Sequence, residues 1–582
     1  MTDQKNMILA IVLSVLILLG FQFFVEQPRV NQERQQAQEQ AQQSGSTAPV
    51  PGQGQGTAPA PGVPGGGSAA AAAAQSREAA LGLTPRVRID TPRIKGSIAL
   101  KGARIDDVVL TDYRLTLADD SPPIHLLDPT GLMRPYYAEF GWVGAAGSQT
   151  VLPTPETVWT ASADTLTPDK PVTLSWSNGQ GLTFERVISV DRDYLFTVSQ
   201  RVVNDGAEAV TLYPYGLISR GGTPETIDFY ILHEGPLGVF DETLTEIDYS
   251  ELQEDGDVER SATGGWIGIT DKYWLAALVP GQGEPWNYSF RHSKRNLDDR
   301  YQVDYLGQPR SVGPGQTSEV ESRLFAGAKE VKLLDRYEER FGIANFDLAI
   351  DFGWFYFLTK PFFYVLTWLN GVLGNFGLAI LGLTVIIKLL FFPLANKSYK
   401  SMAKMKELTP KLQEMREKHG DDRQRLNEEM MALYKREKIN PAAGCLPILI
   451  QIPVFFALYK TLFVSIEMRH APFYGWIEDL SAPDPTSLFN LFGVIPWDPP
   501  QFLMIGAWPV LMGITMFLQQ KLNPQPTDPV QAKVFMFLPL MFTFLLGHFA
   551  AGLVIYWTWN NLLSIAQQAV IMRRMGIKRA LS

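Results

Sequence analysis

The C-terminal third of this 582-residue chain contains five long apolar runs, which constrain its fold more than any other feature. Each run is close to the roughly 20 residues that a helix needs to cross a hydrocarbon core about 30 Å thick. A sixth run near the N-terminus has no small-residue cleavage site after it, so it predicts an uncleaved anchor rather than a signal peptide. The sequence therefore predicts a polytopic α-helical membrane protein with six transmembrane helices, at residues 7–25, 376–394, 446–466, 502–518, 534–549 and 553–572.

The distribution of basic residues predicts how these helices are oriented. Residues 395–444 contain twelve Lys and Arg residues, and the tail at 573–582 adds four more, whereas the loop at 467–501 contains only Arg469. By the positive-inside rule, the basic segments and both termini are cytoplasmic. Only 19 % of the residues are charged, which argues against a purely soluble enzyme. The net charge of −9 combines +6 from residue 396 onward with −15 before it, and this acidic N-terminal part argues against specific nucleic-acid binding.

The chain before the apolar runs divides into three segments. Residues 1–26 form the predicted anchor, and the Gln-, Pro-, Gly- and Ala-rich residues 27–80 form a low-complexity linker that cannot bury enough apolar area to fold. Residues 81–330 alternate apolar and polar positions, with hairpin signals at Asn178-Gly179 and Asn204-Asp205-Gly206. On the predicted topology this segment is a large periplasmic all-β sandwich domain.

Two helical segments are predicted around the second span at 376–394. Residues 331–375 contain a charged helix and a stretch with nine aromatic residues between 352 and 373, which suits a helix lying at the membrane interface. Residues 395–445 show apolar positions in three-to-four steps on both sides of His419-Gly420, which predicts a cytoplasmic helical hairpin. A short coiled coil accounts for this pattern. The methionines of the segment also form a soft, adaptable surface suited to varied apolar partners. These methionines are Met402, Met405, Met415, Met430 and Met431.

Lys388 is the charged residue that most needs an explanation. It lies within the second predicted span, where a lysine costs about 2.5–3.5 kcal/mol on insertion scales. One interpretation is that its ammonium group snorkels to the interface, and the other is that it faces a wet cavity inside the helix bundle. Thr384 lies one turn away and Gln451 lies at matching depth on the third span, which favours a cavity.

A polar stripe on the last predicted span supports the same interpretation. Asn560, Ser564 and either Gln567 or Gln568 repeat at three-to-four spacing on an otherwise apolar helix. Each of these residues alone is equally well explained by interhelical hydrogen bonding. The cluster as a whole predicts a hydrophilic groove among the helices.

The sequence gives no indication of catalysis. It contains no G-x-S-x-G, H-E-x-x-H, P-loop or G-x-G-x-x-G motif, and its six histidines are scattered. Its one cysteine, Cys445, permits neither an internal disulfide nor a cysteine-rich metal site. We therefore predict neither an enzyme nor a bound cofactor or metal.

Four motifs carry a resemblance to a known family. They are Lys-Ser-Tyr-Lys-Ser-Met-Ala-Lys-Met, Glu-Met-Met-Ala-Leu-Tyr-Lys, Asn-Pro-Ala-Ala-Gly-Cys-Leu-Pro-Ile-Leu-Ile-Gln-Ile-Pro and Gly-Leu-Val-Ile-Tyr-Trp. Together they resemble the YidC/Oxa family of membrane protein insertases, densely over residues 352–572. The anchor and the large β domain resemble the Gram-negative form of that family.

This resemblance implies a five-helix insertase core with a positively charged groove, open to cytoplasm and lipid, that receives nascent transmembrane segments. Lys388 falls where many members have arginine, which keeps the charge but loses the bidentate geometry. Thr384 and Gln451 match groove positions, and Tyr556 and Trp557 match substrate-contacting aromatic residues. The implied partners are nascent membrane proteins, the ribosome, the Sec translocon and membrane lipids, at the bacterial inner membrane.

Two other classes of function stay open at this point. A transporter or channel would use Lys388 as an intramembrane anion site and would have a pathway that reaches both faces. A carbohydrate enzyme of the cell envelope would have clustered acidic residues in a cleft of the β domain.

Overall fold

The computed structural model describes residues 62–65, 76–227, 232–295, 298–419, 422–437, 446–497, 499–500, 503–522 and 529–574. The predicted anchor, most of the linker at 27–80, the end of the hairpin segment at 438–445 and the tail after residue 574 lie outside the described residues.

The first half of the described chain forms strands because apolar residues occupy every second position. Leu182–Val190, for example, buries alternate side chains along its whole length. Twenty strands are found among the described residues, β1 to β20 in chain order: Arg86–Asp90, Ile94–Ala99, Arg104–Arg114, Pro123–Leu127, Tyr136–Gly144, Thr160–Ala161, Thr165–Leu166, Val172–Ser177, Leu182–Val190, Leu195–Asn204, Val210–Gly221, Gly235–Phe240, Thr243–Glu246, Val258–Thr263, Trp266–Thr270, Trp274–Val279, Pro285–Arg295, Asp298–Leu306, Arg310–Val312 and Gln316–Ala328.

These strands form two sheets that pack as a β sandwich, as the sequence predicts. One sheet has the order β14-β17-β18-β11-β5-β3-β2-β1-β7, with β4 added to β3 and β19 to β11. The other has the order β13-β12-β15-β16-β20-β10-β9-β8-β6. Among the described residues every pairing is antiparallel except that of β1 with β7. The apolar faces of both sheets share one buried core.

The two hairpin signals have different outcomes. Asn178-Gly179 does join two paired strands, because β8 and β9 are antiparallel neighbours and Gly179 takes a φ of +70° in the turn. The prediction of a hairpin at Asn204 is wrong, because β10 and β11 belong to different sheets. The amide of Asn204 donates to the carbonyls of Glu208 and Val312 at 2.8 Å each, so it stabilises a crossing between sheets. A turn signal specifies a local reversal, and packing decides which strand becomes the partner.

An ion pair is buried in the sandwich between two neighbouring strands. Arg104 of β3 donates from Nε to Oε2 of Glu139 of β5 at 2.6 Å, and the side chains are only 3 % and 5 % exposed. The hydroxyl of Tyr215 donates to the other carboxylate oxygen at 2.9 Å. Both charges therefore depend on each other, because neither reaches bulk water.

Eleven α-helices lie among the described residues. A short one precedes β1 and another lies between β13 and β14, and the remaining nine follow the sandwich. From α1 to α11 they are Arg77–Leu81, Tyr249–Asp255, Val331–Phe341, Tyr356–Leu373, Phe376–Leu390, Phe392–His419, Arg423–Arg436, Leu446–Val464, Ala507–Leu522, Pro529–Leu545 and Ala551–Arg574.

The helix boundaries depart from the predicted spans. The predicted second span, 376–394, ends as α5 at Leu390, and the chain turns into α6 at Phe392. None of the described helices alone is long and apolar enough to cross a membrane. The pair Phe376–Leu390 and Phe392–Met402 together has the required length and hydropathy, but the two helices are bent by 69°. The predicted interfacial stretch forms the single helix α4, which continues past Pro361 without ending there.

The sandwich packs directly onto the helices that follow it. Its apolar core extends to Phe363 of α4 and to Val464 at the end of α8. Lys460 of α8 forms an ion pair with Asp351 at 2.7 Å, and Arg469 donates to the carbonyl of Arg114 at 2.7 Å. Apolar and charged contacts together fix the sandwich against one end of α4 and α8.

Helices α6 and α7, the two halves of the predicted hairpin, pack against each other, while its turn at 420–421 lies outside the described residues. Leu408 and Leu412 of α6 bury their side chains with Leu433 of α7, and Met415 and Met430 lie against this cluster. The cytoplasmic position of the pair stays a prediction.

The buried ion pair in the sandwich yields a stability prediction. We expect Arg104→Leu to lower the free energy of unfolding of the β domain by about 3–5 kcal/mol, because Glu139 is then left buried without its ion-pair partner. Urea unfolding of the full chain in detergent, followed by protease resistance of the β domain, measures the change. Arg88→Leu is the matched control, because the Arg88 side chain is 68 % exposed and its removal costs little. Equal effects of the two substitutions would contradict the prediction.

Candidate functional site

The candidate site lies among four helices that share an apolar core. Buried residues of α4, α5, α8 and α11 pack together, including Leu366, Leu383, Leu458 and Leu553. The polar side chains predicted from the sequence project from α5, α8 and α11 into or beside this core.

Lys388 and Ser564 are brought together, although 176 residues separate them in the chain. The ammonium group of Lys388 on α5 donates to the hydroxyl of Ser564 on α11 at 2.8 Å. Ser564 is 2 % exposed, and its hydroxyl donates to the carbonyl of Asn560 one turn earlier. Tyr399 of α6 is buried, and its side chain lies near the same hydroxyl. The sequence pattern gave no signal for Tyr399, because it precedes the periodic methionines.

The surroundings of Lys388 are polar without being acidic. Among the residues that the structure describes, the Lys388 ammonium forms no ion pair, and its hydrogen-bond partner is Ser564. Lys388 lies in the last turn of α5, two residues before the helix ends. The carbonyl end of a helix carries partial negative charge and stabilises a cation there. The broken helix therefore supplies part of the compensation that a carboxylate would otherwise give.

Gln451 and Tyr556 form a second pair between α8 and α11. The amide of Gln451 donates to the Tyr556 hydroxyl, and Tyr556 is 2 % exposed. Trp557, next in the chain, is half-buried, and its ring lies 4.7 Å from that of Phe455 and 6.1 Å from that of Phe542. The two predicted aromatic residues thus have different surroundings: one is hydrogen-bonded and buried, and the other belongs to an aromatic cluster.

Two of the predicted groove residues bond within their own helices. The hydroxyl of Thr384 donates to the carbonyl of Ile380 at 2.7 Å, and Thr384 is buried. Asn560 is also buried, and its backbone carbonyl accepts the hydrogen bond from Ser564. Thr384 shares a helix with Lys388 but does not hydrogen-bond to it.

The polar stripe of α11 also joins this helix to α9. Asn561 donates to the hydroxyl of Thr515 at 3.2 Å, and Gln568 donates to the carbonyl of Leu522 at 3.2 Å. Of the two glutamines left open by the spacing, Gln568 is the buried one, whereas Gln567 is half-buried. Asn561 and Thr515 were not predicted from the sequence. The signal was the spacing of Asn561, Ser564 and Gln568, which places all three on one helix face.

The methionines of α6 and α7 differ in exposure. Met402 and Met405 are half-buried, and Met415 and Met430 pack against the leucine cluster of the helix pair. Met431 is 52 % exposed. Among the described residues no group of three or more His, Cys, Asp or Glu side chains could hold a metal ion.

The fold defines a class: a large β sandwich fixed on a helical part whose helices enclose a lysine and a row of polar side chains. Comparison with known families makes the class specific. Residues 86–365 match the family described as YidC periplasmic domain, and residues 368–578 match the family described as 60Kd inner membrane protein. The chain belongs to the YidC family of inner-membrane proteins, and its β sandwich is the periplasmic domain of that family.

Curated relatives agree over the full length. A membrane protein insertase YidC of Methylorubrum extorquens (strain PA1) is 53 % identical over 593 residues, covering 99 % of this chain and 96 % of the relative. The one of Methylobacterium nodulans is 54 % identical over 586 residues with the same coverage. A crystal structure of an active YidC insertase is 17 % identical at a TM-score of 0.34, covering 84 % of this chain and 92 % of that chain. Membership of the family rests on the sequence matches, and the curated relatives are named membrane protein insertases.

The hydrogen bond between Lys388 and Ser564 yields a prediction of energetic coupling. In a double-mutant cycle of Lys388→Met and Ser564→Ala, we expect a coupling energy of about 1.5–3 kcal/mol, the range of a hydrogen bond to a charged group. Urea unfolding in detergent micelles provides the four free energies. The control cycle pairs Lys388→Met with Thr384→Ala, which should show no coupling because Thr384 bonds to Ile380. Coupling in both cycles, or in neither, would contradict this geometry.

Proposed function

We propose that this protein is a membrane insertase that receives nascent transmembrane segments in a positively charged hydrophilic groove and releases them sideways into the inner-membrane bilayer. The observation that carries the proposal is the contact between Lys388 and Ser564. It places an ammonium group among packed helices, with no carboxylate bonded to it in the described part of the chain. A charge in that position needs water or an incoming polar group to offset its desolvation.

The groove is proposed to form around the polar side chains of α5, α8 and α11. Lys388, Thr384, Gln451, Asn560 and Ser564 line it, and Tyr556 and Trp557 contact the substrate. A wet groove lowers the cost of bringing the polar end of a nascent segment partway across the bilayer, because that end exchanges bulk water for groove water and an ammonium group. Apolar partition then drives the segment into lipid. Neither step needs nucleotide chemistry, which agrees with the missing nucleotide-binding motifs.

The remaining parts are proposed to serve this core. Both termini and the α6–α7 pair are cytoplasmic, where the basic charge and the exposed Met431 receive nascent chains from the ribosome. The β domain is accessory and faces the periplasm. The protein acts alone or with the Sec translocon.

Water access separates this groove from a transport pathway. In a Cys445→Ser background, we expect a cysteine at Gln451 to react with a membrane-impermeant thiol reagent applied to the side of the α6–α7 pair only. A blind groove admits water from one face. Ile452→Cys on the same helix is the matched control, because Ile452 is 45 % exposed on the apolar exterior and should stay unlabelled in a bilayer.

Each other outcome of this labelling has a definite meaning. Labelling of Gln451→Cys from both faces would favour a transporter or channel with Lys388 as its anion site. No labelling from either face would mean a dry interior and would overturn the groove.

The charge of Lys388 yields a prediction about substrates. We expect Lys388→Arg to retain insertion, whereas Lys388→Leu slows insertion of substrates with polar or acidic translocated ends by about tenfold, equivalent to roughly 1.4 kcal/mol. Reconstituted vesicles and protease protection of the inserted segment measure the rate. Lys521→Leu is the control, because Lys521 is an exposed cation on α9. Normal insertion of acidic substrates by Lys388→Leu would favour a snorkelling lysine with no role in insertion.

A further inference from the structure

A ten-residue stretch between α8 and α9 exposes an unusual amount of apolar surface. Residues 488–497 read Leu-Phe-Asn-Leu-Phe-Gly-Val-Ile-Pro-Trp and contain no charged side chain. Its apolar side chains are 39–78 % exposed, and Val494 at the tip is the most exposed of them. Soluble surfaces rarely leave so many neighbouring apolar side chains in contact with water. This stretch, named here the 488–497 loop, is therefore expected to contact another apolar surface.

The loop has a defined conformation that keeps its backbone bonded internally. The N–H of Phe492 donates to the carbonyl of Ser487 at 2.7 Å, and that of Ile495 to the carbonyl of Asn490 at 3.0 Å. The N–H of Gly493 donates to the side chain of Asn490 at 2.9 Å. Leu491 and Phe492 both adopt left-handed backbone conformations, with φ of 51° and 59°, to close this turn. Such strain is tolerated where the surrounding structure over-determines it.

Internal bonding of this kind distinguishes between two partners. A segment that binds a protein through its edge needs unpaired N–H groups, whereas a segment at the boundary between headgroups and acyl chains loses less when its N–H groups are already bonded within the chain. The N–H groups of Leu488, Phe489 and each residue from Leu491 to Ile495 all donate within the chain. Pro496 has no N–H group to satisfy. The loop therefore offers few free N–H groups to an added strand, and its exposed surface consists mainly of apolar side chains.

The loop is attached rigidly to the start of α9. The N–H of Leu488 donates to the carbonyl of Ile505 at 2.8 Å, and the hydroxyl of Ser487 donates to the carbonyl of Leu503 at 3.0 Å. Asp484 accepts hydrogen bonds from the N–H of Trp508 and from the indole of Trp476. These contacts fix the position of the loop relative to the first turn of α9.

The apolar exterior of α9 begins about one turn after this attachment. Between Leu511 and Leu518 its exposed side chains are all apolar: Leu511, Ile514, Phe517 and Leu518. In a protein of an inner-membrane family, this flank is the surface that faces lipid. The exposed rings of Trp476 and Trp497, at 44 % and 47 %, have the amphipathic character typical of residues at the headgroup level. The 488–497 loop thus continues a lipid-facing surface.

We infer that the 488–497 loop inserts into the leaflet of the bilayer next to the N-terminal end of α9 and anchors this end of the helix core in lipid. The apolar side chains at the tip, around Val494, reach the boundary between headgroups and acyl chains, and the tryptophans stay among the headgroups. The inference is independent of the proposed groove, because it uses none of the groove residues.

Depth-dependent quenching tests this insertion in the full-length protein. The Cys445→Ser protein with Val494→Cys carries an environment-sensitive fluorophore and is reconstituted into phosphatidylcholine and phosphatidylglycerol vesicles. We expect blue-shifted emission, protection from aqueous iodide and strong quenching by lipids that carry a nitroxide near the headgroup. Val158→Cys is the matched control, because Val158 is 56 % exposed on the surface of the β domain. A fluorophore at that position should be quenched by iodide alone.

Two results would overturn the inference. Quenching of the Val494 probe by iodide and not by nitroxide lipids, as at Val158, would place the loop in water. A Val494 probe that iodide quenches in vesicles containing only the purified protein, but not in native membranes, would identify another protein as the partner instead. If Val494→Cys fails to fold, Ile495→Cys offers a second site, because Ile495 is 43 % exposed in the same loop.

Discussion

The helical part of this protein depends on how the ammonium group of Lys388 is accommodated. An isolated charge among packed helices costs several kilocalories per mole unless hydrogen bonds, helix dipoles or water compensate it. Here the compensation comes from the Ser564 hydroxyl on α11 and from the carbonyl end of α5. The break after Leu390 is part of this arrangement, because it ends α5 just beyond the charge. A continuous helix would have removed the carbonyl end from the neighbourhood of the lysine.

Buried polar residues along α11 are likewise stabilised by hydrogen bonds. Its buried polar residues bond to two different neighbouring helices: Tyr556 to Gln451 on α8, and Asn561 to Thr515 on α9. Polar contacts between helices give each neighbour a fixed rotation about its axis, which apolar packing in lipid does only weakly. One helix with a polar face therefore organises the others around it, and the proposed groove is the space which that face borders.

At the opposite end of α8 a second set of polar contacts holds the β sandwich and the segment that follows it. The ion pair between Lys460 and Asp351 and the contact of Arg469 with the Arg114 carbonyl lie beside a continuous apolar core. An interface with both components has a preferred orientation, because a rotation would separate charges that are partly desolvated. The β domain is thus in a fixed position relative to the helices whose polar side chains form the candidate site. The apolar 488–497 loop lies between α8 and α9 in the chain, and its proposed insertion would hold the same assembly in the bilayer.

The sequence by itself determined the class of fold, because periodicity is a local property: alternation predicted the strands, and the three-to-four spacing on 553–572 predicted a polar helix face. It also singled out Lys388, because an unshielded charge in an apolar run is costly wherever the run lies. The tertiary structure alone decided the partners. Asn204 marks a turn in the sequence but a crossing between sheets in the fold, and Ser564 became the partner of a lysine 176 residues away. Such choices depend on which surfaces meet after packing, and no local pattern encodes the free energy of a contact between residues so distant in the chain.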